Sequence, residues 1–183
     1  MSSRKESGSG TAEGRRKENS SVTRSRRAGV ARAQGELIII QDADLEYLPE
    51  EIPKLVSKLE KNPQLSAVYG SRNLSLTGRG YSHYILGAWF LTKLVNTFFR
   101  TKLTDVYTCY KLIRTDRLQS LNLQSKGFEI EMEITAKLLK SHAKIAEVPI
   151  SYHPRSFKEG KKIRTKDAVK GFIKLMSIVF LWR

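Results

Sequence analysis

The segment Gly35-Glu36-Leu37-Ile38-Ile39-Ile40-Gln41-Asp42-Ala43-Asp44 constrains this chain more than any other. Four consecutive apolar residues, three of them β-branched, read as a strand buried on both faces. Two carboxylates follow at once, one residue apart. In an open α/β sheet, ligands lie just beyond the carboxyl ends of the strands. A strand that ends in Asp-x-Asp therefore puts hard oxygen ligands where a phosphate-bearing substrate would sit. The expectation is that Asp42 and Asp44 hold a divalent cation against the phosphates of such a substrate. An acidic turn after a core strand is the plain alternative, and a bare Asp-x-Asp does not choose between them.

The 183 residues suit one domain of ordinary size, and 40% of them are hydrophobic. The net charge of +15 divides into +6 over residues 1–34 and +9 over the rest. So basic a surface expects a phosphate-rich partner: a nucleotide, an anionic membrane or a nucleic acid. No aromatic-basic signature of a nucleic-acid reader is present and the charge is spread rather than striped, so nucleic acid is set aside. The single cysteine, Cys109, permits no intramolecular disulfide, and its neighbours read as a strand, which makes it a buried structural thiol. His83, His142 and His153 are scattered, without the spacing of a zinc site. No apolar run reaches the length of a membrane span. The longest are Tyr84–Phe99, interrupted by Lys93, and Gly171–Trp182, interrupted by Lys174. Each is suited to a membrane interface or to a core helix.

Residues 1–24 are rich in Ser, Gly, Arg, Lys and Glu and read as a disordered basic tail. Residues 24–34 fit the end of a helix, with Gly35 as its cap. Pro49-Glu50-Glu51 opens a helix whose Ile52, Leu55, Val56 and Leu59 recur at helical spacing. Leu65–Tyr69 reads as a short strand, 73–82 as a loop, Tyr84–Arg100 as an apolar helix, and Tyr107–Ile113 as a strand. Helices follow over Thr115–Leu121 and Phe128–Leu139, the latter with Ile130, Ile134 and Leu138 on one face. Ala143–Tyr152 alternates around Pro149 and predicts an edge strand. The basic stretch 153–166 precedes an amphipathic helix, Asp167–Trp182, within a C-terminal segment 165–183.

These pieces, in this order, resemble family 2 glycosyltransferases of the GT-A fold, in the branch that loads sugars onto polyprenyl phosphates. The resemblance rests on Gln41-Asp42-Ala43-Asp44-Leu45-Glu46-Tyr47 with Pro49-Glu50, on Val68-Tyr69-Gly70-Ser71-Arg72, and on Phe90-Leu91-Thr92 with Asn96. It continues through Leu103–Lys111, Gly127-Phe128-Glu129-Ile130-Glu131, Glu147–Tyr152, and Arg155 with Gly160-Lys161-Lys162-Ile163. It covers roughly residues 25–175, read as a partial GT-A domain: a Rossmann-like mixed sheet flanked by helices. Family members begin with strands that hold the nucleotide base and ribose, and nothing in residues 1–24 resembles them. The chain therefore reads as the C-terminal two-thirds of such a domain, with low activity expected of the chain alone. A non-catalytic remnant that keeps part of the fold is the alternative.

The resemblance implies a site. Asp42, Asp44 and Glu46 would be ligands of Mg2+ or Mn2+, and Asp44 would also be catalytic. Asp105 would stand near the acceptor, orienting it or a cation. Arg72 would contact phosphate. One of Glu129 and Glu131 would serve the sugar, Glu129 being the one assigned to substrate. Arg155, Lys161, Lys162 and Arg164 would clamp phosphates. The implied partners are a nucleotide-sugar, a polyprenyl phosphate and a membrane surface, with the protein peripheral at the cytoplasmic face.

Overall fold

The computed structural model describes residues 25–42, 46–75, 83–153 and 165–181. Residues 25–32 are helical (α1). There follow strand β1 (Leu37–Ile40), a 3-10 turn (Pro49–Glu51) continuing into α2 (Ile52–Glu60), β2 (Ala67–Ser71) and α3 (His83–Phe99). Then come β3 (Lys111–Arg114), α4 (Thr115–Ser120), α5 (Ile130–Lys140), β4 (Ile145–Pro149) and α6 (Thr165–Phe180).

The four strands make one mixed sheet in the order β1-β3-β2-β4. β3 runs antiparallel to β1 and β2, whereas β4 is parallel to β2. β1, β2 and β4 thus share a direction, and their carboxyl ends fall on one edge together with the start of β3. In register, Ile40 and Tyr69 flank Lys111, and Ser71 lies beside Pro149.

Side chains alternate across the sheet as a two-residue period requires. Ala67, Tyr69 and Ile113 face α4 and α5, packing with Leu118, Ile130, Ile134 and Leu138. Val68 and Leu112 face α2, packing with Leu55, Leu59 and Tyr110. The predicted face Ile130, Ile134, Leu138 is therefore correct. On its other side α5 offers Met132 and Ala136 to Leu91 and Val95 of α3 and to Leu175 and Ile178 of α6. α5 is central, so even its charged residues Glu131, Glu133 and Lys137 are buried. They are matched rather than bare: Lys137 Nζ lies 2.7 Å from Glu133 Oε1, and Glu133 also accepts the backbone N–H of Gln124 and Ser125. α6 comes close enough at Gly171 that a methyl group there would lie 1.8 Å from Tyr107 Oη.

Three expectations are corrected. β1 is not buried on both faces: Leu37, Ile38 and Ile39 are half-buried and only Ile40 is buried, because β1 ends the sheet among the described residues. The strand expected from Tyr107 begins only at Lys111. Residues just before it stay irregular because side chains take their backbone groups: Tyr47 Oη meets Cys109 N at 3.5 Å, Thr108 Oγ1 accepts from Tyr110 N at 3.2 Å, and Lys111 Nζ donates to Thr108 O at 2.7 Å. Cys109 is consequently off the sheet and half-buried. Among the described residues β4 is an edge strand, as Pro149 predicts. The tail 1–24 and the basic loop 154–164 lie outside the described residues.

Candidate functional site

The shared edge of the sheet carries two ionic networks. The first gathers around Asp42, two residues past β1. Its Oδ1 is ion-paired with the Arg26 guanidinium. Its Oδ2 accepts a hydrogen bond from Cys109 Sγ at 2.9 Å. Arg26 also donates from Nη1 to Glu131 Oε1 at 3.3 Å, and Glu131 Oε2 is paired with Lys111. Lys111 is wholly buried, donates to Thr108 O at 2.7 Å, and lies over the Tyr69 ring. The local fold delivers these groups from five places: α1, the turn after β1, the loop before β3, the start of β3 and the first turn of α5. Gln119 of α4 holds α1 in place through the carbonyls of Val30 and Ala33 at 2.9 and 3.1 Å.

Burial works against the charge on Arg26, but Glu131 and Asp42 hold its pKa above the ordinary value. Burial pushes the Cys109 thiol well up, and the nearby carboxylates push it further. It is a neutral donor here, not a nucleophile.

The second network gathers around Asp105. Arg72, just past β2, grips it bidentately, Nε to Oδ2 at 2.6 Å and Nη2 to Oδ1 at 2.8 Å, with a third bond from its backbone N–H at 3.2 Å. The guanidinium lies 5.1 Å from the centroid of the Tyr152 ring. Burial alone would raise the Asp105 carboxyl, yet the charge and hydrogen bonds of Arg72 hold it below the usual carboxylate range. Glu147 of β4 fixes the loop from behind, accepting Thr104 N, Thr104 Oγ1 and Asp105 N at 2.7, 2.9 and 2.9 Å. Its own carboxyl is raised, because burial outweighs those bonds. Tyr47 stacks on Tyr110 and leans on Tyr152. Tyr152 Oη donates to Glu46 Oε2 at 3.2 Å, and its phenol is pushed up to about 12, chiefly by burial.

Of the residues predicted from sequence, Asp42, Glu46, Arg72, Asp105, Glu129 and Glu131 are described. Asp44, Arg155, Lys161, Lys162 and Arg164 lie outside the described residues. Asp42 and Glu131 meet through Arg26, and Arg72 meets Asp105. Among the described residues Glu129 Oε2 is buried with no hydrogen-bond partner. Among the described residues no three carboxylate, imidazole or thiol side chains converge on a metal position. Asp42 has the right chemistry for Mg2+ or Mn2+, with hard oxygens on a side chain 28% exposed, but both oxygens are engaged. The sequence alone gives no role to Arg26, Lys111, Glu147 or Tyr152. A signal for Arg26 existed: it stands four residues before Val30, the α1 side chain that packs into the core, and so shares its face.

Residues 13–121 match the family model described as Glycosyl transferase family 2, a span that starts ahead of residue 25. A low-salt glycan biosynthesis hexosyltransferase, Agl6 of Haloferax volcanii, is 30% identical over 127 residues, covering 68% of this chain and 30% of that protein. An undecaprenyl-phosphate mannosyltransferase of Micrococcus luteus is 26% identical over 69% of this chain and 53% of its own length. A dolichol-phosphate mannosyltransferase of Pyrococcus furiosus is 27% identical over 73% and 38%. The chain thus spans about a third to a half of these relatives. Among solved structures, glucosyl-3-phosphoglycerate synthase of Mycobacterium tuberculosis with uridine diphosphate shares the fold, with a TM-score of 0.62 at 15% identity over 84% of this chain and 53% of that one. The same synthase with Mn2+, UDP-glucose and phosphoglyceric acid aligns over the same shares with a TM-score of 0.59 at 16% identity.

Proposed function

This chain belongs to glycosyl transferase family 2, and from that premise we propose that it takes part in moving a sugar from a nucleotide-sugar to a polyprenyl phosphate. One observation carries the reading: three strands running in one direction deliver Asp42, Arg72 and Tyr152 to a single edge of the sheet. The names of the bacterial and archaeal mannosyltransferase relatives support the acceptor class.

In the proposed reaction an acceptor phosphate oxygen bonds to the anomeric carbon as the bond from that carbon to the diphosphate breaks. The electron pair leaves with the nucleoside diphosphate, and the anomeric centre inverts. The attacking oxygen is already anionic and needs little help from a base. A divalent cation, when bound, would neutralise charge on the departing diphosphate. Asp42, Asp44 and Glu46 are its proposed ligands, Mg2+ and Mn2+ both suiting such oxygens. Arg72 is the proposed cation for a phosphate, and Asp105 positions it through the bidentate grip. Glu129, whose Oε2 is unpartnered among the described residues, is proposed to accept from a sugar hydroxyl. Arg155, Lys161, Lys162 and Arg164 are proposed to clamp phosphates.

The acceptor side is proposed to face a membrane at the cytoplasmic side. α3 and α6 bury one face in the core and expose Trp89, Phe90, Phe98, Phe172, Ile173 and Phe180 on the other. Phe98 and Phe180 meet edge to face, which joins the two exposed stripes. Asn96 of α3 ties this surface to the loop bearing Asp105. No described helix is long and apolar enough to cross a membrane. Such a stripe among lysines suits an interface with anionic lipid. Co-sedimentation with anionic vesicles should fall as NaCl rises, and equal binding to neutral vesicles at all salt concentrations would remove the electrostatic part.

A second reading, a non-catalytic remnant, is favoured by the engagement of both Asp42 oxygens. Transfer of radiolabelled sugar to a polyprenyl phosphate separates the two readings. Metal-dependent incorporation that disappears in Asp44→Ala supports the enzyme. Absence of incorporation across uridine and guanosine diphosphate sugars, even with an N-terminal segment joined that supplies the family's first strands, supports the remnant.

A further inference from the structure

We propose that Arg26 is a built-in counter-cation that competes with the divalent metal for Asp42, so that metal and nucleotide bind more tightly once the Arg26–Asp42 pair opens. The inference rests on the proposed metal role of Asp42. Its grounds are geometric. Asp42 has two oxygens; Arg26 holds one and the Cys109 thiol holds the other. A guanidinium on Oδ1 stands close to any divalent ion that the same carboxylate takes, and the repulsion of like charges weakens the ion's hold whichever oxygen it uses.

The remaining contacts make Arg26 a releasable partner rather than a permanent one. Its side chain is 16% exposed and Asp42 28%, whereas Lys111 and Glu131, the inner half of the network, are 0% and 4% exposed. Opening the Arg26–Asp42 pair leaves Glu131 neutralised by Lys111 and leaves Arg26 tethered by its bond to Glu131. No buried charge is stranded, so the exchange avoids the penalty that usually locks buried pairs. By linkage, whatever factor Arg26 imposes on metal binding, the metal imposes on the Arg26–Asp42 pair.

The test is Mn2+ binding, read from the electron paramagnetic resonance of free Mn2+, with uridine diphosphate and then guanosine diphosphate present. It compares the wild-type chain with Arg26→Gln, Arg26→Lys and Arg32→Gln, after circular dichroism shows each folded. Arg32 is an exposed residue of the same helix, and its substitution removes the same charge away from the site. Arg26→Gln is expected to bind Mn2+ at least tenfold tighter, Arg26→Lys to fall between it and wild type, and Arg32→Gln to match wild type. Adding Asp42→Asn to Arg26→Gln should erase the gain. Unchanged or weaker binding in Arg26→Gln overturns the competition, as does a gain that survives Asp42→Asn or appears equally in Arg32→Gln. If no variant binds Mn2+ with either nucleotide, the metal role of Asp42 fails and this inference with it.

Discussion

Asp42 and Asp105 stand at the same edge of one sheet, each paired with an arginine, yet the two pairs are built differently. Asp105 is 3% exposed and receives three hydrogen bonds from Arg72, while Glu147 pins the backbone beneath it. Asp42 is 28% exposed, meets Arg26 through one oxygen, and borrows a weak thiol donor for the other. A planar, bidentate pair with its backbone bonded resists rearrangement. A one-oxygen pair whose arginine has a second carboxylate in reach can change partners. The Asp105 network is thus scaffold for Arg72, and the Asp42 network is where exchange with a ligand is possible.

The largest expected effect comes from breaking the rigid pair. Asp105→Ala leaves the Arg72 guanidinium without its partner and should cost about 3–5 kcal/mol in urea unfolding. A cost under about 1 kcal/mol would erase the contrast. Acid provides a smaller version of the same break. Because the Asp105 carboxyl is held below its ordinary range, the unfolded chain takes up the proton first as pH falls, and the stability supplied by ionised Asp105 is lost through that window. Glu147 has the opposite sign: its raised carboxyl favours folding at low pH, and that contribution fades as pH rises through its folded value. The stability gap between wild type and Asp105→Asn should therefore shrink as pH falls below about 4, and a gap that stays constant contradicts the assignment.

Effects on the Asp42 side should be milder. Arg26→Gln is expected to cost about 1 kcal/mol, because Glu131 keeps Lys111 and Asp42 is open to water. Cys109→Ala removes only the thiol donor and should stay within about 1 kcal/mol by the same unfolding measurement. If either change proves as costly as Asp105→Ala, the two networks are equally structural.

Much of the frame was legible because it follows periodicity. Ile130, Ile134 and Leu138 fall on one face in sequence and pack on one cluster in space. Pro149 marks an edge strand, and β4 is one. The exposure of Leu37, Ile38 and Ile39 was not legible, since four apolar residues do not reveal whether a strand has one neighbour or two. The irregular run before Lys111 is not legible because the Tyr47 and Thr108 side chains take its backbone N–H groups in place of a neighbouring strand. The acidic pair drew attention to Asp42. Helical spacing puts Arg26 on the packed face of α1, but nothing local tells which carboxylate it meets 16 residues on, because that contact depends on how α1 docks beside α4.

The division of labour is tested most directly by measuring two quantities on the same two variants, Asp42→Asn and Asp105→Asn. The quantities are unfolding free energy and Mn2+ binding in the presence of a nucleoside diphosphate. The expected result is a crossed pattern: Asp42→Asn abolishes coupled Mn2+ binding and leaves stability within about 1 kcal/mol, whereas Asp105→Asn loses stability and keeps Mn2+ binding. Loss of Mn2+ binding in Asp105→Asn with full binding retained in Asp42→Asn would contradict the account.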